Sequence, residues 1–152
     1  MRIVVTGATG SLGSALMYRL TKDNHSVLGL GLSEMKIKSL SDEGFDMKRC
    51  DISDLETLSD CIKDCDVVVH CAAFAAPFGS KKRFFQTNVQ GTKNVFEAVK
   101  NSSVSRVIVI SSASIFDGMK HDSPHTDETP ELKFRPRHNY GASKYDAELV
   151  CL

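Results

Sequence analysis

The chain has 152 residues, 41% hydrophobic and 25% charged, and 19 Lys+Arg balance 19 Asp+Glu. This length suits one domain that buries about two-thirds of its unfolded surface, and the composition excludes disordered, collagen-like and coiled-coil classes. Zero net charge leaves no basic excess for a nucleic acid or an anionic membrane surface, so neither is expected as a partner.

Apolar strands and helical patterns alternate along the chain. Residues 2–6 read as a short buried strand stopped by Gly7. Only Ile3, Val4 and Val5 come before Thr6-Gly7, too few for a signal peptide, so a cytoplasmic location is expected. Leu12, Leu16 and Leu20 set an apolar stripe on a helix over 11–21. Residues 26–31 read as a second strand, 34–42 as a short polar helix and 45–50 as a third strand. Asp54 can cap a helix running to about Lys63. Val67-Val68-Val69 is a fourth strand, and the apolar run from Val67 to Ala76 is too short to span a bilayer. Residues 80–100 predict one long amphipathic helix, with Phe84, Phe85, Val89, Val95, Phe96 and Val99 on its core face. A fifth strand covers 106–111. The polar stretch Asp117 to His138 holds Pro124, Pro130 and Pro136, and loops of that length are usually functional or mobile. From Asn139 onward the pattern is helical. Together these predict an α/β domain, a doubly wound parallel sheet of about five strands joined by right-handed crossovers.

Cys50, Cys61, Cys65, Cys71 and Cys151 make an odd count without zinc-type spacing, and read as reduced thiols. His25, His70, His121, His125 and His138 form no metal signature, so no metal is expected, and His121 and His125 read as solvated loop residues.

Thr6-Gly7-Ala8-Thr9-Gly10-Ser11-Leu12-Gly13 follows a strand and opens a helix. Glycines there allow a tight turn and close approach of a pyrophosphate to the free N–H groups of the helix, although an ordinary turn uses them too. Asp51 and Ile52 end the third strand, on the carboxyl edge that lines the ligand crevice. A carboxylate there can accept from an adenine amino group or simply cap a loop. Tyr140 and Lys144 share one helix face, where an ammonium favours the phenolate and makes an acid/base pair. Ser111-Ser112-Ala113-Ser114 ends the fifth strand, placing hydroxyls at the same edge. Asn88 sits in a helix that it does not favour, which fits a buried polar role.

Together these segments resemble the N-terminal part of an extended short-chain dehydrogenase/reductase, in the NAD-dependent epimerase/dehydratase family and its 3β-hydroxysteroid dehydrogenase-like branch. The signature T-G-x-x-G-x-x-G falls on residues 6–13, H-x-A-A on His70-Cys71-Ala72-Ala73, and N-V-x-G-T-x-N-V on Asn88 to Val95. Y-x-x-x-K falls on Tyr140 and Lys144; Pro77-Phe78-Gly79 and the Ser-Ile-Phe-Asp-Gly after Ala113 carry the steroid-dehydrogenase flavour.

The resemblance implies a Rossmann-type NAD(P)-binding domain over 1–152, incomplete at its C-terminus, with later strands and a substrate lobe missing. It implies that Gly7, Thr9, Gly10, Ser11, Leu12, Gly13, Asp51, Ile52, Cys71, Ala72 and Ala73 bind the cofactor, with Tyr140 and Lys144. The catalytic set would be Ser112 (Ser114 as fallback), Tyr140, Lys144 and Asn88. Hydride would pass between nicotinamide and an alcohol or ketone carbon of a small molecule, and the branch tilts the expectation toward a hydroxysteroid-like compound. The other readings are a catalytically weak NAD(P)-binding module or regulator, and a sugar-nucleotide epimerase/dehydratase. NAD-specific members place an Asp where this chain has Gly31, and Lys36 and Lys38 follow, so the cofactor is NAD or NADP with a lean to NADP. Pairing through the long helices would make a homodimer. As 152 residues alone, the chain is expected to bind cofactor weakly and to turn over slowly.

Overall fold

Five strands, β1 (Arg2–Thr6), β2 (Ser26–Gly31), β3 (Asp46–Arg49), β4 (Val67–His70) and β5 (Arg106–Val109), form one parallel sheet in the order β3-β2-β1-β4-β5. They belong to a computed structural model that describes residues 1–116 and 135–152; most of the predicted Asp117–His138 loop, with His121, His125, Pro124 and Pro130, lies outside the described residues. Thr6 is in register with Leu30 on one side and His70 on the other. β1 and β4 carry apolar side chains on consecutive residues because helices cover both faces of the sheet.

The helices are α1 (Ser11–Lys22), α2 (Glu34–Asp42), α3 (Leu55–Ile62), α4 (Lys81–Phe85), α5 (Gly91–Lys100) and α6 (Asn139–Cys151). Side chains alternate across β1 with the strand period of two. Val4 joins Leu30, Leu58, Ile62, Val68 and Val95 in one core cluster, which includes residues of α3 and α5. Ile3 and Val5 join Met17, Val27 and Val69 in the other, which includes Met17 of α1. The strand order reverses at β1, with β2 and β3 to one side and β4 and β5 to the other. The chain therefore parts above the carboxyl ends of β1 and β4, which leaves a crevice there.

Asp54 caps α3 as its position predicts, accepting from the Thr57 amide at 3.1 Å and the Thr57 hydroxyl at 2.6 Å. The predicted α1 stripe is rotated. Met17 is its fully buried residue, Leu16 and Leu20 pack against the core, and Leu12 is 49% exposed because the first turn stands at the sheet edge. The single helix predicted over 80–100 contains a π-helical turn, Gln86–Gln90, between α4 and α5. Asn88 lies in that turn, buried. Such turns often serve functional sites. No helix among the described residues is long and apolar enough to cross a membrane.

Candidate active site

The turn from β1 into α1 needs glycine at two places for packing. Gly7 has φ +69°, and a Cβ on it would lie 2.7 Å from the Ala72 backbone. A Cβ on Gly13 would strike the Gly7 carbonyl and lie 2.8 Å from Ala8 Cα, so Gly13 lets α1 press on the turn. Gly10 differs, since a Cβ there would meet only the Gly7 oxygen, at 3.2 Å. It lines a hollow of about 270 Å³ with Thr9, Ser11, Ser14, Lys36 and Ser39 among its walls. Gly10 gives α1 no side-chain cap, so the first-turn N–H groups of Ser11, Leu12 and Gly13 stay available to an anion. This bare, roomy turn fits a dinucleotide pyrophosphate.

At the end of β2, a Cβ on Gly31 would collide with the Thr9 side chain, its hydroxyl 2.8 Å away. Lys36 Nζ reaches across to the Thr9 carbonyl at 3.0 Å. Asp51 is exposed and its Oδ1 accepts from the Ser53 amide at 2.9 Å and the Ser53 hydroxyl at 2.8 Å, leaving Oδ2 for another donor. Ile52 is buried against Gly91, where a Cβ would clash with it. Cys71, Ala72 and Ala73 are half-buried just past β4.

A chain of buried polar groups crosses from β1 to the π-helical turn. The Ala72 amide donates to Thr6 Oγ1 at 3.2 Å, Thr6 Oγ1 lies 2.7 Å from His70 Nδ1, and His70 Nε2 lies 3.0 Å from Thr92 Oγ1. Thr92 donates its only hydroxyl proton to the Asn88 carbonyl at 2.6 Å. His70 Nε2 must therefore carry the proton toward Thr92, and Nδ1 must accept from Thr6. Only a neutral imidazole satisfies every group. Burial, and then the nearby Lys144 charge, push His70 down to about 4. The Asn88 side chain clamps the segment after β4. Its Oδ1 accepts from the Phe74 amide at 2.7 Å, and its Nδ2 donates to the Phe74 carbonyl at 3.2 Å and to Ser143 Oγ at 2.9 Å.

α6 brings Tyr140 and Lys144 to the carboxyl end of β5. Gly141 makes this approach possible, because a Cβ there would lie 2.5 Å from the Ser114 carbonyl. Lys144 is buried, its Nζ donating to the Ile110 carbonyl at 2.6 Å. Desolvation lowers its pKa. Tyr140, one turn earlier, lines a hollow of about 440 Å³ with Pro77, Phe78, Phe84 and Arg137 among its walls. Ser112 Oγ accepts from the Ser114 amide at 3.2 Å, so its own proton is free to be donated. Ser111 Oγ is buried without a hydrogen-bond partner among the described residues. Asn88 thus meets α6 at Ser143, Lys144 ties α6 to the end of β5, and Gly141 packs against Ser114, two residues past Ser112, while Asp51 and the glycine turn lie further along the same edge.

The sequence motifs include Thr6, His70 and Thr92 but give them no role, and Ser143 went unremarked. A histidine ending an apolar strand and a threonine one turn after Asn88 were the available signals. All five cysteines are free thiols, and among the described residues no group of His, Cys, Asp and Glu could hold a metal.

Residues 3–152 match the family model described as NAD dependent epimerase/dehydratase family. The chain is 31% identical to 4-hydroxy-2-methyl-3-oxo-4-farnesyl-3,4-dihydroquinoline-1-oxide ketoreductase of Stigmatella aurantiaca, over 100% of this chain and 45% of that protein. It is 29% identical to the decarboxylating sterol-4-alpha-carboxylate 3-dehydrogenase of Dictyostelium discoideum, over 99% of this chain and 47% of the relative. The solved UDP-glucuronic acid 4-epimerase of Bacillus cereus in complex with NAD superposes with a TM-score of 0.82 at 32% identity, over 99% of this chain and 50% of that one. The chain spans about half the length of the curated relatives it matches.

Proposed function

The chain belongs to the NAD dependent epimerase/dehydratase family, and from that premise we propose that it is an NAD(P)-dependent oxidoreductase acting at an alcohol or ketone carbon of an apolar small molecule. One observation carries the reading. A buried lysine stands one helical turn after a tyrosine that opens onto a hollow at the carboxyl edge of the sheet. Tyr140 gives its phenolic proton to the substrate oxygen in reduction and takes it back in oxidation. The Lys144 ammonium stabilises the phenolate that remains. Ser112 donates its free hydroxyl proton to the same oxygen. Asn88 positions the Phe74 segment and, through Ser143, the start of α6. When bound, the nicotinamide dinucleotide supplies or accepts the hydride.

Gly7, Thr9, Gly10, Ser11, Leu12 and Gly13 would hold the pyrophosphate end of that dinucleotide. Asp51 and Ile52 would flank the adenine, and Cys71, Ala72 and Ala73 the ribose side. NADP is favoured because position 31 carries no carboxylate and Lys36 stands beside Thr9. The apolar wall of Pro77, Phe78 and Phe84 supports an apolar substrate, and relatives named for a sterol and a farnesylated quinoline point the same way. Loss of turnover in Tyr140→Phe with dinucleotide binding retained is the test.

A further inference from the structure

Two arginines flank Pro136, and they differ in what they touch. Arg135 makes a two-pronged pair with Asp146 of α6, its Nε and Nη2 each 2.9 Å from a carboxylate oxygen. Its guanidinium also lies 5.3 Å from the centre of the Phe85 ring. Arg135 is therefore a tether for α6. Arg137 is exposed, lines the hollow that Tyr140 opens onto, and has no hydrogen-bond or ion-pair partner among the described residues. Pro136 between them is buried, and its ring fixes the local backbone.

Among the described residues no carboxylate lines that hollow. Pro77, Phe84 and a Phe78 ring left 88% exposed at the surface give it an apolar side, and His138 and Asn139 line it beside Arg137. A guanidinium presents a rigid fork of donors that matches the oxygens of a carboxylate or phosphate.

We propose that Arg137 anchors an anionic group of the substrate, a carboxylate or a phosphate, and so defines the substrate class. That class is an oxo or hydroxy compound with an apolar body against Phe78 and Phe84 and a negatively charged end on Arg137. The inference rests on the reading of Tyr140 as the proton donor in the same hollow. It does not depend on which dinucleotide is used.

Benzoylpropionate and its methyl ester, and hydroxyacetone phosphate and hydroxyacetone, are matched pairs that differ in charge at one end. Each is titrated into the whole chain while the Arg137 Nε–H and Tyr140 backbone signals are followed by NMR. The anion of at least one pair is expected to shift the Arg137 signal, and its neutral partner is not. Whichever anion binds more tightly identifies the group. Arg137→Gln is expected to weaken that anion about tenfold or more and leave the neutral compound unchanged, and Arg137→Lys to recover part of the loss. Arg137 is exposed, so neither variant threatens folding. Equal binding within both pairs, no response to either anion, or unchanged anion affinity in Arg137→Gln would each overturn the assignment. Turnover that survives Tyr140→Phe while the anion preference persists would overturn the reaction and leave the anchor standing.

Discussion

The Lys144 ammonium donates to the Ile110 carbonyl at 2.6 Å, just where the chain leaves β5. This bond ties α6 to the carboxyl edge of the sheet. It also holds a positive charge close enough to His70 to help keep that imidazole neutral. The Lys144 charge on α6 and the buried polar chain from β1 are therefore electrostatically linked.

The linkage makes stability depend on pH in a defined direction. His70 is held at about 4 in the folded chain, below its ordinary value of 6.5. Between these values the unfolded chain binds more protons than the native one, so stability rises with pH. The contribution is complete above about pH 6.5 and falls by about 3 kcal/mol as pH drops to about 4. Urea unfolding across that range should show this slope in the wild type and lose it in His70→Gln. Lys144→Met, which removes one of the two causes, should end the slope at a higher pH and reduce the total loss.

Asn88 is 1% exposed and its side chain makes three hydrogen bonds. Asn88→Ala should cost about 3 kcal/mol, because the Phe74 amide and the Ser143 hydroxyl lose buried partners. Thermal unfolding measures the loss. Hydrogen exchange at Phe74 should speed up in the same variant more than exchange in β2.

The three glycines of the first turn should separate into two kinds. Gly13→Ala forces backbone atoms apart and should lower stability by about 2 kcal/mol or more. Gly10→Ala meets only one atom, at 3.2 Å, and should fold nearly as well as the wild type. Its added methyl stands in the hollow beside Ser11, so its dinucleotide affinity should fall about tenfold or more. Calorimetric titration beside thermal melts checks both. Gly10→Ala with full affinity would place the dinucleotide elsewhere.

Gly31 bears on cofactor choice. Gly31→Asp combined with Thr9→Ala, which clears the clashing side chain, puts a carboxylate where a 2′-phosphate would approach. The pair should weaken NADP relative to NAD by about tenfold or more. Dissociation constants of both dinucleotides, measured on wild type and variant, give the ratio.

What the sequence revealed follows from range. Strands buried on both faces appear as unbroken runs such as Val67-Val68-Val69, and Asp54 and Thr57 form a cap within four residues. The glycine turn was legible because its constraint is local backbone geometry. Thr6 and His70 meet from 64 positions apart, and no periodicity links them. The π-helical turn at Asn88 answers the need to reach Phe74 and Ser143 together, both outside its own helix. Arg135 and Arg137 look alike in sequence, and the distant partners Asp146 and Phe85 tell them apart.

The central claim is that Tyr140, supported by Lys144, moves the proton that accompanies hydride transfer. The direct measurement is transfer of deuterium from the hydride-bearing carbon of a reduced dinucleotide to the carbonyl carbon of a ketone probe, read by NMR. The wild-type chain should deliver the label to that carbon, and Tyr140→Phe should do so about 100-fold more slowly with unchanged dinucleotide affinity. Equal transfer by wild type and Tyr140→Phe, or no transfer by the wild type, would contradict the account.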